Sequence, residues 1–301
     1  MSVVIPTYNH GQFVVAALES VFAQIYGDFE VIVIDDGSTD GTQDILKPLA
    51  DQGRIRFIRK ANGGQASARN AGIAMARAKY IAMLDDDDLW PADKLKWQVE
   101  WLEEHPDVVM VSGEVEYLGA EGRPFTAGIS VITHEKLFER CPITSPGQTL
   151  VRAERLRAIG GLDETLWATD DWDLLFRLSR MGRIELHDRP SLYYRAHESN
   201  ASRDKLRWAP NLCRVIQTQL KFAEPGRRRE LRHRAYLTCW TICGWDLLGT
   251  MWDDFLQLRW KRGWKIARAL WPMARVLVWD WSWLRRVGVF LVRYKTQRSA
   301  E

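Results

Sequence analysis

A chain of 301 residues, 46% apolar and 27% charged, has the length for a sizeable core and the balance of a soluble globular protein. Four cysteines, Cys141, Cys213, Cys239 and Cys243, form neither a zinc-type pairing nor a dense disulfide framework, and no stretch approaches the ~18 uncharged apolar residues of a spanning helix. The net charge of +3 hides an asymmetry: residues 1–204 hold 22 Lys/Arg against 32 Asp/Glu, a balance of −10, while residues 205–301 hold 20 against 7, a balance of +13, and 10 of the 15 Trp.

In chain order, SVVIP (2–6) reads as a short buried strand and GQFVVAALESVFAQ (11–24) as a helix with apolar residues at helical spacing. FEVIVID (29–35) is a second buried strand, TQDILKPLA (42–50) a helix disturbed at Pro48, and RIRFIR (54–59) an alternating strand. The Ala-rich segment 65–79 is helical, YIAML (80–84) a strand, 93–105 a helix that Asp93 can cap, and VVMVSG (108–113) a strand. Residues 114–204 are less regular. They offer a helix over 154–164 closed by Gly160 and Gly161, and another over 170–182 closed by Gly182. From about residue 205 the pattern stays helical. Strands alternating with helices predict an α/β fold, a mainly parallel sheet with helices on both faces.

Ligands in such sheets bind beyond the carboxyl ends of the strands. Asp35 and Asp36 end one strand, and the run Asp85–Asp88 ends another, so both acidic groups are expected in one crevice. Adjacent carboxylates there suit a hard divalent cation such as Mg²⁺ or Mn²⁺, which takes oxygen ligands together with phosphate oxygens. A solvated acidic turn is the alternative for one isolated run; a second acidic pair at a neighbouring strand end argues against it. No G-x-G-x-x-G follows the first strand and no G-x-x-x-x-G-K-[ST] occurs, which excludes the usual dinucleotide and P-loop readings.

Together, VVIPTYNHGQFVVAALESVFAQ, EVIVIDDGSTDGT, NGGQASARNAGI and YIAMLDDDDLW, followed by GGLDE, TDDWDLLFRLSRMG and YYRAHESNAS, resemble the family 2 glycosyltransferases with a GT-A fold, in order and spacing, over roughly residues 1–204. The resemblance implies inverting transfer of a sugar from a nucleoside-diphosphate sugar, a UDP-sugar by family tendency, usually with Mg²⁺ or Mn²⁺. It implies that Pro6 and Tyr8 border the nucleobase, that Asp36 accepts the base N–H, and that Arg69 faces the nucleotide. Asp85 and Asp87 match the D-x-D motif, with Asp87 the metal ligand. Asp86 stands where the family often has a small or neutral residue, which leaves the register open between 85/87 and 86/88. Asp171 aligns with the catalytic base, Asp170 replacing the family's Glu, and His197 matches a histidine that reaches the metal or diphosphate. The chemistry agrees. The transition state is oxocarbenium-like, a metal can stabilise the leaving diphosphate, and a carboxylate can deprotonate the acceptor hydroxyl.

Residues 205–301 lie outside these motifs. Their mixture of Trp, Leu and Val with Arg and Lys predicts a helical region that rests in a membrane interface, with a packed soluble subdomain as the alternative. The acidic first region argues against nucleic acid as a partner. The expectation is therefore a GT-A catalytic domain over 1–204 and a basic, Trp-rich helical region over 205–301. It would be an enzyme of the cytoplasmic membrane face that acts on a glycan or lipid-linked acceptor. The opening MSVVIPTYNHG has neither the basic region nor the apolar run of a signal peptide. A nucleotidyltransferase and a non-catalytic glycan- or membrane-binding scaffold are the rival readings. The first lacks its Gly-rich phosphate loop, and the second has no use for three separate acidic positions.

Overall fold

The computed structural model describes residues 1–119, 128–197, 204–257 and 259–277. It divides into two compact units. The first comprises residues 1–137, 141–166 and 170–198; the second comprises 138–140, 167–169 and 199–301.

The first unit is built on a mixed eight-stranded sheet. Its strands are β1 (Ser2–Thr7), β2 (Glu30–Asp35), β3 (Arg56–Arg59), β4 (Tyr80–Met83), β5 (Val108–Tyr117), β6 (Ile129–Ile132), β7 (Thr149–Arg152) and β8 (Arg183–Tyr194), in the order β3-β2-β1-β4-β7-β5-β8-β6. β1 pairs in parallel with β2 and β4, β2 with β3, and β5 with β8, while β7 and β6 run antiparallel to their neighbours. All six residues of β1 are buried, as a continuous apolar run in a covered parallel sheet requires.

Helices α1 (Gly11–Phe22), α2 (Thr42–Asp51), α3 (Gln65–Met75) and α4 (Lys94–Glu104) follow β1 to β4; α5 (Ala153–Ala158) follows β7, and α6 (Asp170–Leu178) precedes β8. α1 buries Val14, Ala17, Leu18 and Val21, spaced three and four apart, so a single stripe meets the core. α3 lies close on β1 because Gly72 has no side chain: a Cβ there would stand 2.3 Å from Val4 Cγ1.

Several sequence expectations change. α2 continues through Pro48 to Asp51, since losing one ladder bond is outweighed where Leu46 anchors the helix in the core. α3 stops at Met75, where Ala76 turns extended, and α5 stops at Ala158, ahead of Gly160 and Gly161, both at positive φ. Asp93 occupies the N-cap of α4 but makes no side-chain cap bond; its carboxylate takes Arg189 Nη2 at 2.5 Å instead. β6, β7 and β8 were unforeseen. The alternation of β8 holds from Arg183 to His187 and is broken by Asp188, Arg189 and Pro190. Glu185 is nevertheless buried, because Trp101 Nε1 at 2.6 Å and Arg183 Nε at 2.9 Å satisfy it. Pro190 sits at a register irregularity against β5, where a missing N–H is tolerated.

The second unit is helical: α7 (Lys205–Gln219), α8 (Arg228–Cys239), a π-helical turn over Trp240–Gly244, α9 (Trp245–Leu256) and α10 (Trp260–Leu277). Its core includes Leu212, Ile216, Tyr236, Ile266, Leu270 and Met273, with Cys213, Cys239 and Cys243 packed as small apolar groups. Arg259 Nε meets the fully buried Asp254 at 2.7 Å and so fastens the start of α10 to α9. Among the described residues, no helix is long and apolar enough to cross a membrane.

Candidate active site

The loops after β1, β2 and β4 leave adjacent strand ends and are tied together by side chains. Asn9, at positive φ, donates its amide N–H to Ser38 and accepts from Thr39 N–H at 2.7 Å, which fixes the first loop to the second. Pro6 is buried at the end of β1, opposite Ile34. Tyr8 is 46% exposed, so it is not a core residue and leaves its ring open beside this loop.

Asp36 is buried just past β2. Its carboxylate accepts from the amides of Gly63 and Gly64, the latter at 2.7 Å, and from Lys60 Nζ at 2.7 Å. In this state Asp36 therefore secures the loop before α3. A Cβ at Gly63 would lie 2.8 Å from Lys60 Nζ and 2.9 Å from Ser67 Oγ, so a larger residue there would displace the side chain that holds Asp36.

The four aspartates after β4 have four different environments. Asp85 accepts from Arg69 Nη2 at 2.5 Å, from Gln65 Nε2 at 3.1 Å and from Ser145 Oγ at 3.0 Å. Asp86 is buried, with Oδ1 2.8 Å from His10 Nδ1 and Oδ2 buried with no hydrogen-bond partner. Asp87 is half-buried and lies 2.7 Å from His197 Nε2. Asp88 is turned inward, accepting from Arg195 N–H at 2.9 Å. Burial, then the charges of Asp85 and Asp87, push Asp88 up to about 8. Burial and the neighbouring carboxylates also raise Asp87, with the His197 hydrogen bond opposing them. The hydrogen bond to Asp86 raises His10 above the usual imidazole range against its burial.

The donor set fits a hard cation. Ligand atoms of His10, Asp86 and Asp87 all lie within 4.8 Å of one another. Three like charges crowd one turn, and a buried carboxylate oxygen of Asp86 lacks a hydrogen-bond partner. A divalent ion answers both features. Asp88 is committed to the backbone of Arg195, and Asp85 to Arg69, Gln65 and Ser145, so Asp86 and Asp87 are the two aspartates left nearest a common ion position.

Arg69 joins this cluster to a second. It is buried and donates through Nη1 to Asp170 at 3.0 Å as well as to Asp85. Burial disfavours its charge, but Asp85 and Asp170 outweigh that and hold the guanidinium firmly protonated. Beside Asp170, at the head of α6, stands Asp171, whose Oδ1 accepts from Trp172 N–H at 2.7 Å. Burial and the Asp170 charge push the Asp171 carboxyl up to about 7. A carboxylate titrating there can accept a proton near neutral pH.

The remaining motif residues hold these in place. Asn70 donates to Leu162 O and accepts from Leu162 N–H, both at 2.9 Å, and so clasps the GGLDE loop; Arg177 Nη1 holds Gly161 O at 2.6 Å. Trp172 is a packing residue whose Nε1 donates to Leu137 O. The structure joins Arg69, Asp85 and Asp170 by hydrogen bonds, with Asp171 next in the chain; Asp86 pairs with His10 and Asp87 with His197, and those two imidazoles meet edge to face, while Asp36 separately holds the loop before α3. Sequence reasoning missed His10, Gln65 and Ser145. Of these, only His10 carried a signal, two residues after Tyr8 in the first strand-end loop.

Residues 2–159 match the family described as glycosyl transferase family 2. The chain belongs to that family. It is 29% identical over 212 residues to an uncharacterized glycosyltransferase of Nostoc, with 66% of each chain covered. It is 30% identical over 210 residues to the chondroitin synthase of Escherichia coli, covering 68% of this chain and 30% of that one. A Rickettsia felis glycosyltransferase is 36% identical over 152 residues, 48% of this chain but a quarter (25%) of the relative's length. Among solved structures, S. aureus TarS 1–349 in complex with UDP-GlcNAc superposes with a TM-score of 0.72 at 19% identity, covering 91% of this chain and 80% of that one. The Pyrobaculum calidifontis mannosyltransferase PcManGT, in complex with GDP-Man and Mn²⁺, gives 0.59 at 22% identity over 99% of this chain and 81% of that one. These structures share the GT-A type of fold.

Proposed function

We propose that the protein transfers a sugar, with inversion, from a nucleoside-diphosphate sugar to a hydroxyl of a glycan or lipid-linked acceptor. The observation that carries this reading is Arg69, whose buried guanidinium ties the D-x-D carboxylate Asp85 to Asp170, next to Asp171. Donor-side and acceptor-side carboxylates are thereby held in one fixed arrangement.

In this reading Pro6 and Tyr8 border the base, with the Tyr8 ring as its platform. Asp36 exchanges part of its hold on Lys60 and the Gly63–Gly64 amides for the base N–H. Asp85 and Asp86 face the nucleotide-sugar, and Asp87 and His197 hold a Mg²⁺ or Mn²⁺ ion, with His10 beside Asp86 as a further candidate. When bound, such an ion supplies positive charge for the departing diphosphate. Asp171 takes the proton of the acceptor hydroxyl as its oxygen bonds to the anomeric carbon. The bond from that carbon to the diphosphate breaks, and the nucleoside diphosphate leaves with the electron pair. A UDP-sugar is the proposed donor, supported by the UDP-GlcNAc in the TarS complex.

We place the enzyme peripherally on the cytoplasmic face of a membrane. The +13 balance beyond residue 204 supports the membrane, and four free cysteines suit a reducing compartment. The test is a thermal-shift panel of nucleoside diphosphates and their sugars, with and without Mn²⁺, followed by product analysis. A bound donor raises the midpoint by mass action, ~2.7 kcal/mol at a hundredfold excess over Kd. Release of a nucleoside diphosphate supports sugar transfer. Release of pyrophosphate from a nucleoside triphosphate, or no stabilisation by any nucleotide, overturns it.

A further inference from the structure

Helix α10 is two-faced in an unusual way. Its inner face buries Gly263, Ile266, Ala269, Leu270, Met273 and Leu277. On its outer face Trp260, Trp264 and Trp271 are 53%, 61% and 64% exposed. At about 100° per residue, these three indoles fall within about 40° of one another around the helix. Lys261, Lys265, Arg268 and Arg275 are exposed on the adjoining flank, and residues 260–277 contain no Asp or Glu. Among the described residues, no carboxylate forms an ion pair with any of these four cations. Arg262, by contrast, is turned towards Asp254 at 3.4 Å. Lys265 and Arg268 also rim a cleft of about 410 Å³ between α7 and α10 that is floored by Pro210, Cys213, Ala269 and Pro272.

Three large, exposed indoles side by side on one helix face form an apolar patch of the kind that marks an interaction surface. A charged rim with no paired carboxylate among the described residues calls for an anionic partner. Indoles settle at the boundary between headgroups and acyl chains, and anionic headgroups attract Lys and Arg alongside them. We propose that the Trp260–Trp264–Trp271 face of α10, flanked by Lys261, Lys265, Arg268 and Arg275, is the surface that docks this protein on an anionic lipid bilayer. The proposal rests on the membrane reading above and assigns it to one helix face.

The experiment is co-sedimentation of the full-length chain with vesicles of phosphatidylcholine, alone or mixed with phosphatidylglycerol, at low and high salt. Lys265→Gln/Arg268→Gln is compared with Arg229→Gln/Arg232→Gln, which removes two exposed cations from α8. Trp264→Ala/Trp271→Ala is the third variant, and an unchanged thermal midpoint verifies its fold and that of the two Gln pairs. Wild type is expected to bind the phosphatidylglycerol vesicles. The α10 cation pair is expected to weaken that binding by about fivefold per charge removed. The α8 pair should have a much smaller effect. The Trp pair should abolish the binding that survives high salt.

Equal losses for the two cation pairs, or wild-type binding by either α10 variant, would overturn the α10 face and leave the membrane reading standing. Wild type that stays in the supernatant with phosphatidylglycerol vesicles at low salt would overturn the membrane reading itself.

Discussion

Arg69 and Asp170 meet at 3.0 Å with both side chains buried, although 101 residues of chain separate them. Removing one partner of such a pair leaves a charge in a poor solvent, and here two carboxylates, Asp85 and Asp170, would lose their shared cation. Arg69→Ala should therefore destabilise the fold by about 3–5 kcal/mol. Arg69→Lys keeps the charge but cannot fork to both acids, and should fall between alanine and wild type. Urea unfolding of the three proteins measures this. A loss under ~1 kcal/mol for alanine, the range of an exposed pair, would show that the bridge is not the anchor described.

Asp87→Ala should remove metal-dependent donor binding while leaving the fold intact. Asp87 is half-buried, with burial and the Asp85 and Asp86 charges already working against its ionised form. Losing it relieves repulsion, so the melting temperature should hold or rise. Isothermal calorimetry with a UDP-sugar and Mn²⁺ reports the binding. Unchanged affinity would shift the metal to His10 and Asp86, the other members of the three-residue cluster.

Asp171→Asn should lower transfer by ~10²–10⁴-fold with donor affinity nearly unchanged, because an amide keeps the shape but accepts no proton. Turnover within a few-fold of wild type would remove Asp171 from the mechanism.

The pH dependence follows from the same group. Burial raises Asp171 to about 7, and the ionised form is the base. Transfer should therefore fall about tenfold per unit as pH drops below about 7, and the residual activity of Asp171→Asn should lack that limb. The effect on stability has the opposite sense. The folded protein binds a proton that the unfolded chain, with an Asp near ~3.9, has released. The contribution of Asp171 to stability should then decline as pH rises from about 4 to 7, and Asp88, raised to about 8, extends the decline to about pH 8. A pH profile of wild type without this acid limb would contradict the placement of Asp171.

The alternating first hundred residues were legible because each element carries its own period: β1 and β2 are unbroken apolar runs and α1 has a single stripe. The acidic strand ends were legible for a topological reason, since parallel strands deliver their carboxyl ends to one edge. What the sequence did not reveal depends on distant partners. Asp188, Arg189 and Pro190 interrupt the alternation of β8 and hide the strand, and nothing local shows that Glu185 is buried until Trp101 and Arg183 are brought to it. Ser145 and Gln65 became visible only when Asp85 was seen to need donors beyond Arg69. Asp93 looked like a cap because nothing local announces Arg189.

Gly72 offers a test of how closely the scaffold under the site is packed. In a helix interior, Gly→Ala ordinarily favours folding by ~1 kcal/mol. At this position the new Cβ would stand 2.3 Å from Val4 Cγ1 and 3.1 Å from Val4 Cγ2. Val4 is fully buried in β1, and its branched side chain has no alternative place to go. Overpacking of this kind costs ~1–3 kcal/mol and outweighs the propensity gain, so Gly72→Ala should be destabilising. Gly27→Ala is the contrast, because nothing lies within 4 Å of its would-be Cβ; it should stay within ~0.5 kcal/mol of wild type. Adding Val4→Ala to Gly72→Ala should restore part of the loss, since the cavity of one substitution receives the methyl of the other. A double-mutant cycle in urea reads the coupling directly. Additive losses would mean that α3 shifts away from β1 to admit the methyl. Arg69, on the same helix, would then shift relative to Asp85 and Asp170, and donor affinity should drop along with stability.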